Sequence, residues 1–293
     1  TAGVDSFYTL LKHREEITTL IYVHGFDVPL ENLPVRAKVS SAIRAVAAEL
    51  GKDVVEVETN LKEFSDHYGR WAENSHGAAL ASVALLLSPQ FERVYLAASH
   101  TYVQMTPWGS YPMLDPLWST EATEIVHDGC ESTRTEKIAS LRSCETVLRW
   151  LRVCWENRNG AYNCGECEKC LRNMIVLRVA GLLQSCVSFD RPLDLEKVSQ
   201  IVVADHNKYT LRENLNILER TGQDPALAEA LRACFRSRRA ETGGNCDRLR
   251  EQINQNEAEI ARLRGLVQGY ERGRAMRVLN AVETVRQRIK RFI

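Results

Sequence analysis

Hydrophobic and polar positions follow a strand–helix rhythm along the first half of the chain. Short β-branched apolar runs predict strands, and longer stretches with apolar positions three or four residues apart predict helices. The predicted strands are 19–24, 53–59, 94–98 and 125–127, and the predicted helices are 6–12, 32–50, 77–87 and 134–141. This alternation predicts an α/β fold, with a parallel sheet, helices on both of its faces and ligands at the carboxyl ends of the strands.

The second half of the chain is predicted to be mainly helical. After a last apolar stretch at 148–153, residues 168–183 have the periodicity of a helix. We assign 1–190 to the main domain and 191–240 to a helical extension. The segment 101–123, rich in proline and aromatic residues, is too long for a simple connection and is predicted to be a substrate loop.

Residues 246–293 have a different pattern. Apolar residues recur at alternating spacings of four and three around a polar Asn256, which predicts a short coiled coil. From residue 271 onward, seven Arg or Lys stand against two Glu, as in a basic amphipathic helix. We expect this segment to support weak self-association or contact with a membrane surface, and to be dispensable for chemistry.

Composition narrows the class of protein. Of the 293 residues, 44% are hydrophobic and 26% are charged, which excludes a disordered or collagen-like chain. Lys and Arg equal Asp and Glu at 38 each, so the net charge does not favour a nucleic-acid partner. Four of the nine cysteines fall between 154 and 170, which favours a metal site in a reducing compartment over a disulfide framework. We therefore expect a cytoplasmic protein with a small-molecule substrate.

The cysteine motif is the most specific local signal. Cys164, Cys167 and Cys170 are spaced by three residues, and Cys154 lies ten residues upstream. Four thiolates are sufficient for a closed tetrahedral Zn²⁺ site with a structural role. An iron–sulfur cluster uses the same ligands, and buried free thiols are a third alternative. We expect a structural zinc ion that joins the apolar stretch at 148–153 to the helix at 168–183.

A second candidate site lies in the opening segment, Thr1-Ala2-Gly3-Val4-Asp5-Ser6-Phe7. A glycine-containing turn with hydroxyl groups before a helix suits a bound phosphate. A helix start capped by Asp5 or Ser6 is the alternative. Neither common phosphate signature, G-x-x-x-x-G-K-[ST] or G-x-G-x-x-G, is present in the sequence.

This opening segment resembles the SGGxDS loop of the PP-loop ATP pyrophosphatases, with Thr1 in place of Ser and Ala2 in place of Gly. The resemblance implies the adenine nucleotide alpha hydrolase fold, with Thr1, Gly3, Asp5 and Ser6 holding the pyrophosphate part of ATP. It also implies that a first strand, which normally precedes the loop, is missing from the chain as given. We therefore expect an amino-terminally truncated chain.

Together with this loop, the motif Cys-Gly-x-Cys-x-x-Cys is similar to the zinc region of the 7-cyano-7-deazaguanine synthase family. The resemblance spans 1–183 and implies that Ser99 and His100 face the substrate or cofactor. The segment Tyr111-Pro112 to Asp115 resembles the family's Tyr-Pro-Asp segment, and 135–138 resembles its helix start with Thr and Lys. Because Asp115 is displaced by two residues, we expect a relative that acts on another substrate.

The resemblance implies an ATP-dependent ligase or amidotransferase-like enzyme. A carboxylate or amide oxygen would attack the α-phosphorus of ATP, Mg²⁺ would neutralise the phosphates, and a nitrogen nucleophile would then displace AMP. Asp5, Ser6, Arg134 and Lys137 would be the catalytic residues. Arg134 and Lys137 lie one helical turn apart, although such a pair can also belong to a solvated helix face. His24 would line the adenine pocket or be a structural histidine.

Two other functions remain open. An RNA sulfur-transferase of the same fold would need a reactive cysteine outside the metal set, for which Cys130, Cys144 and Cys186 are the nearby candidates. A non-catalytic scaffold stabilised by zinc would use its coiled coil to recruit partners, and Ala2 favours this alternative. Turnover of ATP distinguishes the adenylating enzyme from the scaffold.

Overall fold

The computed structural model describes residues 2–105, 108–236 and 260, and it mixes helices with parallel strands. In the first half the elements are α1 (Val4–Lys12), β1 (Thr19–His24), α2 (Leu33–Leu50), β2 (Asp53–Glu58), α3 (Leu61–Asp66), α4 (His76–Leu86), β3 (Arg93–Ala97) and β4 (Glu124–Asp128). They are followed by α5 (Arg134–Ser140), α6 (Glu145–Trp150), α7 (Glu168–Val179), α8 (Leu195–Ser199) and α9 (Lys208–Thr221). Residues 225–236 are also helical.

The strands form two separate two-stranded sheets. β1 pairs with β2 in parallel, from Thr19 opposite Asp53 to His24 opposite Glu58. β3 pairs with β4 in parallel, from Arg93 opposite Glu124 to Ala97 opposite Asp128. The prediction of parallel strands with intervening helices is therefore confirmed. The prediction of one continuous sheet is wrong for the described residues, because no strand pairing joins the β1–β2 pair to the β3–β4 pair.

Local sequence signals explain where several helices begin and end. Asn32 caps α2 by accepting a hydrogen bond from the Val35 N–H. The same helix ends at Gly51, whose φ of 66° is the left-handed conformation that glycine adopts at low cost. Thr133 and Glu136 form a reciprocal capping box at the start of α5. These caps set the direction in which each helix leaves its strand or loop.

The apolar core is continuous through α7. One cluster combines α1, α2 and α6 with the four clustered cysteines at 154–170, and it includes Val176 and Leu177 of α7. The opposite side of α7 contributes Met174 and Ile175 to a second cluster with α8, α9 and the helix at 225–236. Because α7 packs on both sides, it joins the helical second half to the strand-containing first half.

The predicted helical character after residue 190 is seen in α8, α9 and the segment at 225–236. The described residues up to Phe235 form one compact unit. The predicted coiled coil and basic helix at 246–293 lie outside the described residues except for Ile260, which is helical. None of the described helices has the length and apolar character that a membrane span requires.

The turn after β1 provides a test of the fold. Gly25 has a φ of +96°, and a Cβ atom there would lie 1.9 Å from the carbonyl oxygen of Thr59. We expect Gly25→Ala to lower the free energy of unfolding by about 3 kcal/mol, since the left-handed backbone and the clash both oppose a side chain. Denaturant unfolding measures this loss.

Gly51→Ala is the matched control, because Gly51 has a φ of +66° and open space around it. The control should lose about 1 kcal/mol. Equal stability of the two variants would contradict the close approach of Thr59 to Gly25.

Candidate anion site and metal centre

Four buried cysteines come together as the sequence predicts. The Sγ atoms of Cys154, Cys164, Cys167 and Cys170 all lie within 4.8 Å of one another. Cys164 and Cys170 are 3.8 Å apart, and Cys154 and Cys167 are 4.0 Å apart. Tetrahedral Zn–S bonds of about 2.3 Å place sulfur atoms about 3.8 Å apart, so this arrangement fits a four-coordinate metal ion.

The local sequence around the cysteines explains their convergence. Gly165 turns the chain with a φ of +69° between the first two cysteines of the motif. Cys167 is the N-cap of α7, and its sulfur accepts the Cys170 N–H at 3.4 Å. Asn163 accepts the backbone N–H groups of Val153 and Cys154, which holds the upstream ligand beside the loop.

The cysteines described in the structure are all free thiols. The neighbouring thiols Cys154 and Cys167, together with burial, raise the pKa of Cys170, because a second negative charge beside an ionised thiol is unfavourable. A metal ion would supply the positive charge that lets several of these thiols ionise together, and its binding would release protons.

A second polar cluster joins α1 to α5. Arg134 donates from Nη2 to Oδ2 of Asp5 at 2.9 Å. The ammonium of Lys137 lies 3.3 Å from Oδ1 of Asp5 and donates to the carbonyl oxygen of Ala98 at 2.6 Å. Lys137 is only 2% exposed, so this helix face points inward and not into solvent. The structure therefore brings together Asp5, Arg134 and Lys137, three of the four predicted catalytic residues.

The electrostatics of this cluster favour a charged Asp5. Burial by itself would raise the pKa of Asp5, but Arg134 and Lys137 outweigh burial and the pKa lies below its ordinary value. The N-cap of α1 is Gly3, with extended backbone and no side-chain cap. Asp5 and Ser6 therefore belong to the first turn of α1 and do not cap it, which disagrees with the simple helix-cap alternative.

A large cavity opens beside this cluster. It has a volume of about 2050 Å³, and Gly3, Asp5, Ser6 and Arg134 lie along its wall. Three further basic residues of the same wall lie within or directly beside the span of the four cysteines, namely Arg152, Lys169 and Arg172. Sequence reasoning missed these three, although Lys169 stands inside the cysteine motif and Arg172 two residues after it.

Lys169 differs from the other cations of this wall. Arg134 is paired with Asp5, and Arg172 lies 3.2 Å from Oε1 of Glu168. The half-buried ammonium of Lys169 has no hydrogen bond and no close ion pair among the described residues, but against the effect of burial its charge acts with other cations to lower the pKa of Asp5 and of Asp27. A partly desolvated cation facing a cavity favours an anionic ligand there.

The other predicted ligand-binding residues lie in different places. Ser99 and His100 line the cavity, and the His100 ring rests edge-on against Trp108 at 5.1 Å. Burial lowers the pKa of His100 to about 4, so its ring is neutral at pH 7. His24 is outside the cavity wall, where it contacts Glu56 at 2.7 Å and accepts a hydrogen bond from Arg36. Thr1 lies outside the described residues.

Asp115 of the predicted substrate loop forms a buried ion pair with His127 of β4. Asp115 lies 2.7 Å from Nδ1 of His127 and accepts a hydrogen bond from Ser110 at 2.6 Å. Burial would lower the pKa of His127, but Asp115 and the thiol of Cys130 raise the pKa to about 9. The sequence carries no local signal for this pair, because twelve residues separate His127 from Asp115.

Comparisons with known proteins do not identify a family. No protein-family model matches the chain, and no curated protein or solved structure matches it. The resemblance to the PP-loop enzymes therefore stays a prediction, and the case for a function depends on the residues of the site.

The metal centre generates a direct test. The purified protein should contain about one metal ion per chain, and Cys167→Ser should lose most of it together with several kcal/mol of stability, because each of the four thiols supplies one ligand. Metal analysis by mass spectrometry and a thermal melt with and without chelator measure both effects. Cys234→Ser is the matched control, since Cys234 is buried but lies outside the cluster. Full metal content in Cys167→Ser would contradict the site.

The Asp115–His127 pair generates a pH test. The folded pKa of about 9 lies above the unfolded value of 6.5, so the pair's contribution is complete below pH 6.5 and is lost as pH rises through 9. We expect the free energy of unfolding to fall over this range by on the order of 3 kcal/mol. His127→Gln keeps a hydrogen-bond donor but cannot titrate, and it should remove this slope. An unchanged slope in the variant would show that another group titrates.

Proposed function

We propose that the protein is an ATP-dependent adenylating enzyme that cleaves ATP to AMP and pyrophosphate. The observation that carries this proposal is the basic wall of the cavity beside the first turn of α1. We use the name basic wall for four cations of this cavity, those of Arg134, Arg152, Lys169 and Arg172, together with the uncapped amino end of the nine-residue helix α1. Carboxylates also line the cavity, among them Asp27 and Glu168. Backbone N–H groups and cations around one cavity are suited to phosphate oxygens.

The arrangement suits catalysis by positioning ATP and the substrate and by stabilising charge in the transition state. Gly3 and Ser6 lie at the start of α1 beside the cavity and would contact the pyrophosphate part of ATP. Asp5 pairs with both Arg134 and Lys137. Arg134 lines the cavity and would stabilise the negative charge that develops at the α-phosphorus, while the buried Lys137, which is not among the residues of the wall, would hold Asp5 in place. No side-chain nucleophile is required, because the substrate's own oxygen attacks.

The proposed reaction has two steps. A carboxylate or amide oxygen of the substrate forms a bond to the α-phosphorus while the bond to pyrophosphate breaks. A nitrogen nucleophile then attacks the activated carbon, and AMP leaves with the substrate oxygen. Mg²⁺ would neutralise the phosphate charges during the first step.

Zinc would support the site without taking part in the reaction. Four protein thiolates leave no open coordination position, so the metal's role is structural. Cys167 and Cys170 flank Lys169 in the first turn of α7. A metal ion bound by these cysteines would hold Lys169 and Arg172 towards the cavity. An iron–sulfur cluster would use the same four ligands, so iron and sulfide found in the purified protein would replace zinc in this proposal.

The two alternative functions lack a specific supporting observation. Cys130, Cys144 and Cys186 are absent from the cavity wall in the described part of the chain, and Cys130 and Cys186 are buried. A sulfur-transferase would need one of these thiols at the substrate. A non-catalytic scaffold does not require a partly buried basic wall. If the protein did not bind ATP, the scaffold would be the remaining proposal.

The test measures ATP binding and the bond that is cleaved. The protein should bind Mg²⁺–ATP in calorimetry, and Lys169→Gln should weaken binding by about tenfold to a hundredfold, the usual loss for a hydrogen bond to a charged group. Lys38→Gln is the control, since Lys38 is exposed and lies outside the cavity. Equal affinity of the two variants would remove Lys169 from the site.

Turnover with candidate carboxylates and ammonia should release AMP and pyrophosphate, and ¹⁸O from the substrate should appear in AMP. Asp5→Ala should slow this reaction by about a hundredfold, because Arg134 and Lys137 lose the carboxylate that orients them. Release of ADP and phosphate would contradict the proposal.

A further inference from the structure

Three polar residues of the cavity wall, Tyr22 of β1, Asp27 after the following turn and Arg152, form what we call the polar recess. Tyr22 is 2% exposed and Arg152 is 5% exposed, which makes Arg152 the most deeply buried cation of the basic wall. Neither the Tyr22 hydroxyl nor Nε of Arg152 has a hydrogen-bond partner among the described residues. Because buried polar groups are normally hydrogen-bonded, two such donors in a cavity wall point to an acceptor supplied by a ligand.

One asparagine holds the recess together. Asn157 accepts a hydrogen bond from Nη2 of Arg152 and donates to the carbonyl oxygen of Asp27 at 2.9 Å. Its φ of 53° is a left-handed conformation that asparagine adopts more readily than most residues. The Arg152 guanidinium also lies 6.0 Å from the centre of the Tyr162 ring. These contacts fix Arg152 beside the backbone of Asp27 without using its Nε atom.

The recess contains both signs of charge. Burial alone would raise the pKa of Asp27, but Lys169, Arg152 and other positive charges outweigh burial and the pKa lies below its ordinary value. The Asp27 carboxylate nevertheless forms no hydrogen bond or close ion pair within the described part of the chain. Burial raises the pKa of Tyr22 to about 12, so its hydroxyl stays protonated at pH 7. A guanidinium, a carboxylate and a hydroxyl thus lie near one another without bonding to one another.

These groups together select one kind of ligand group. Arg152 and Tyr22 require an acceptor oxygen, whereas Asp27 requires an N–H donor. A carboxylate would suit Arg152 but be repelled by Asp27, and an amidinium would suit Asp27 but be repelled by Arg152. A zwitterion would have to give up the hydration of two full charges. A carboxamide carries an acceptor oxygen and N–H donors on one carbon and has no net charge, so it fits best.

We propose that the polar recess binds a carboxamide group of a small ligand. The carboxamide oxygen accepts hydrogen bonds from Nε of Arg152 and from the Tyr22 hydroxyl, and the carboxamide nitrogen donates to Asp27. The recess rests on the proposed function only in that its ligand would be the substrate of the adenylation. Binding of the carboxamide itself requires no nucleotide.

Titrations with three probes of the same planar shape test the choice of group. Benzamide, benzoate and benzamidine are added to the full chain without ATP, and binding is followed by ligand-observed NMR. Benzamide should bind about tenfold more tightly than the two charged probes, because each of them faces one like charge. Arg152→Gln should shift the preference towards benzamidine, and Asp27→Asn should shift it towards benzoate.

Two tyrosine variants separate ligand binding from a structural role. Tyr22→Phe should weaken benzamide binding by about threefold to tenfold, the usual loss for one hydrogen bond, without lowering the denaturant midpoint of unfolding. Tyr162→Phe is the matched control, since the Tyr162 hydroxyl donates to the carbonyl oxygen of Trp150 at 2.7 Å and Tyr162 is not among the described residues of the cavity wall. This control should lower the unfolding midpoint and leave the affinity for benzamide unchanged.

Three results would overturn the proposal. Tighter binding of benzoate or benzamidine than of benzamide to the unaltered chain would assign the recess to a charged ligand. Equal benzamide affinity in Tyr22→Phe and the unaltered chain would remove the recess from the binding site. No saturable binding of benzamide at millimolar concentration would exclude a carboxamide. Since these samples contain no nucleotide, their outcome is distinguishable from a failure of ATP binding or turnover.

Discussion

The convergence of four cysteines in 17 residues is the constraint on which most of the described structure depends. It holds Cys154 beside the start of α7, and among the described helices only α7 contributes buried residues to both large apolar clusters. The residues directly before Cys154 contact the start of the chain, because the Arg152 N–H donates to the carbonyl oxygen of Ala2 at 2.8 Å. The cysteine centre therefore supports the chain directly before α1 as well as the cations of α7. A loss of this centre would act on the core and on the basic wall together.

The cluster of Asp5, Arg134 and Lys137 shows how buried charges are stabilised in this protein. Lys137 is almost fully buried, and an unpaired ammonium there would be strongly destabilising. Asp5 and the Ala98 carbonyl satisfy it, and Asp5 is satisfied in turn by Arg134. Arg134 and Lys137 thus have their positive charges placed before any ligand binds. Lys169 has no hydrogen bond or close ion pair among the described residues and acts on Asp5 and Asp27 only through its charge, so its substitution is the most direct test for a bound anion.

The cavity brings together residues from both parallel pairs and from α1. The start of α1 carries Gly3, Asp5 and Ser6 at the wall, and Ser99 and His100 follow β3 at the same cavity. Residues that are far apart in the sequence therefore line one site.

The sequence by itself determined the elements and the metal ligands, since both depend on residues close together in the chain. Helical periodicity and Gly51 marked α2, and the three-residue spacing of Cys164, Cys167 and Cys170 marked the metal centre. Only the tertiary structure decided which distant groups meet. His24 pairs with Glu56 from the neighbouring strand, His127 pairs with Asp115 across a loop, and Lys169 faces a cavity whose other walls come from α1 and β3. The division of the strands into two pairs was equally invisible, because periodicity reports that a segment is a strand while edge pairing depends on which other strand lies beside it.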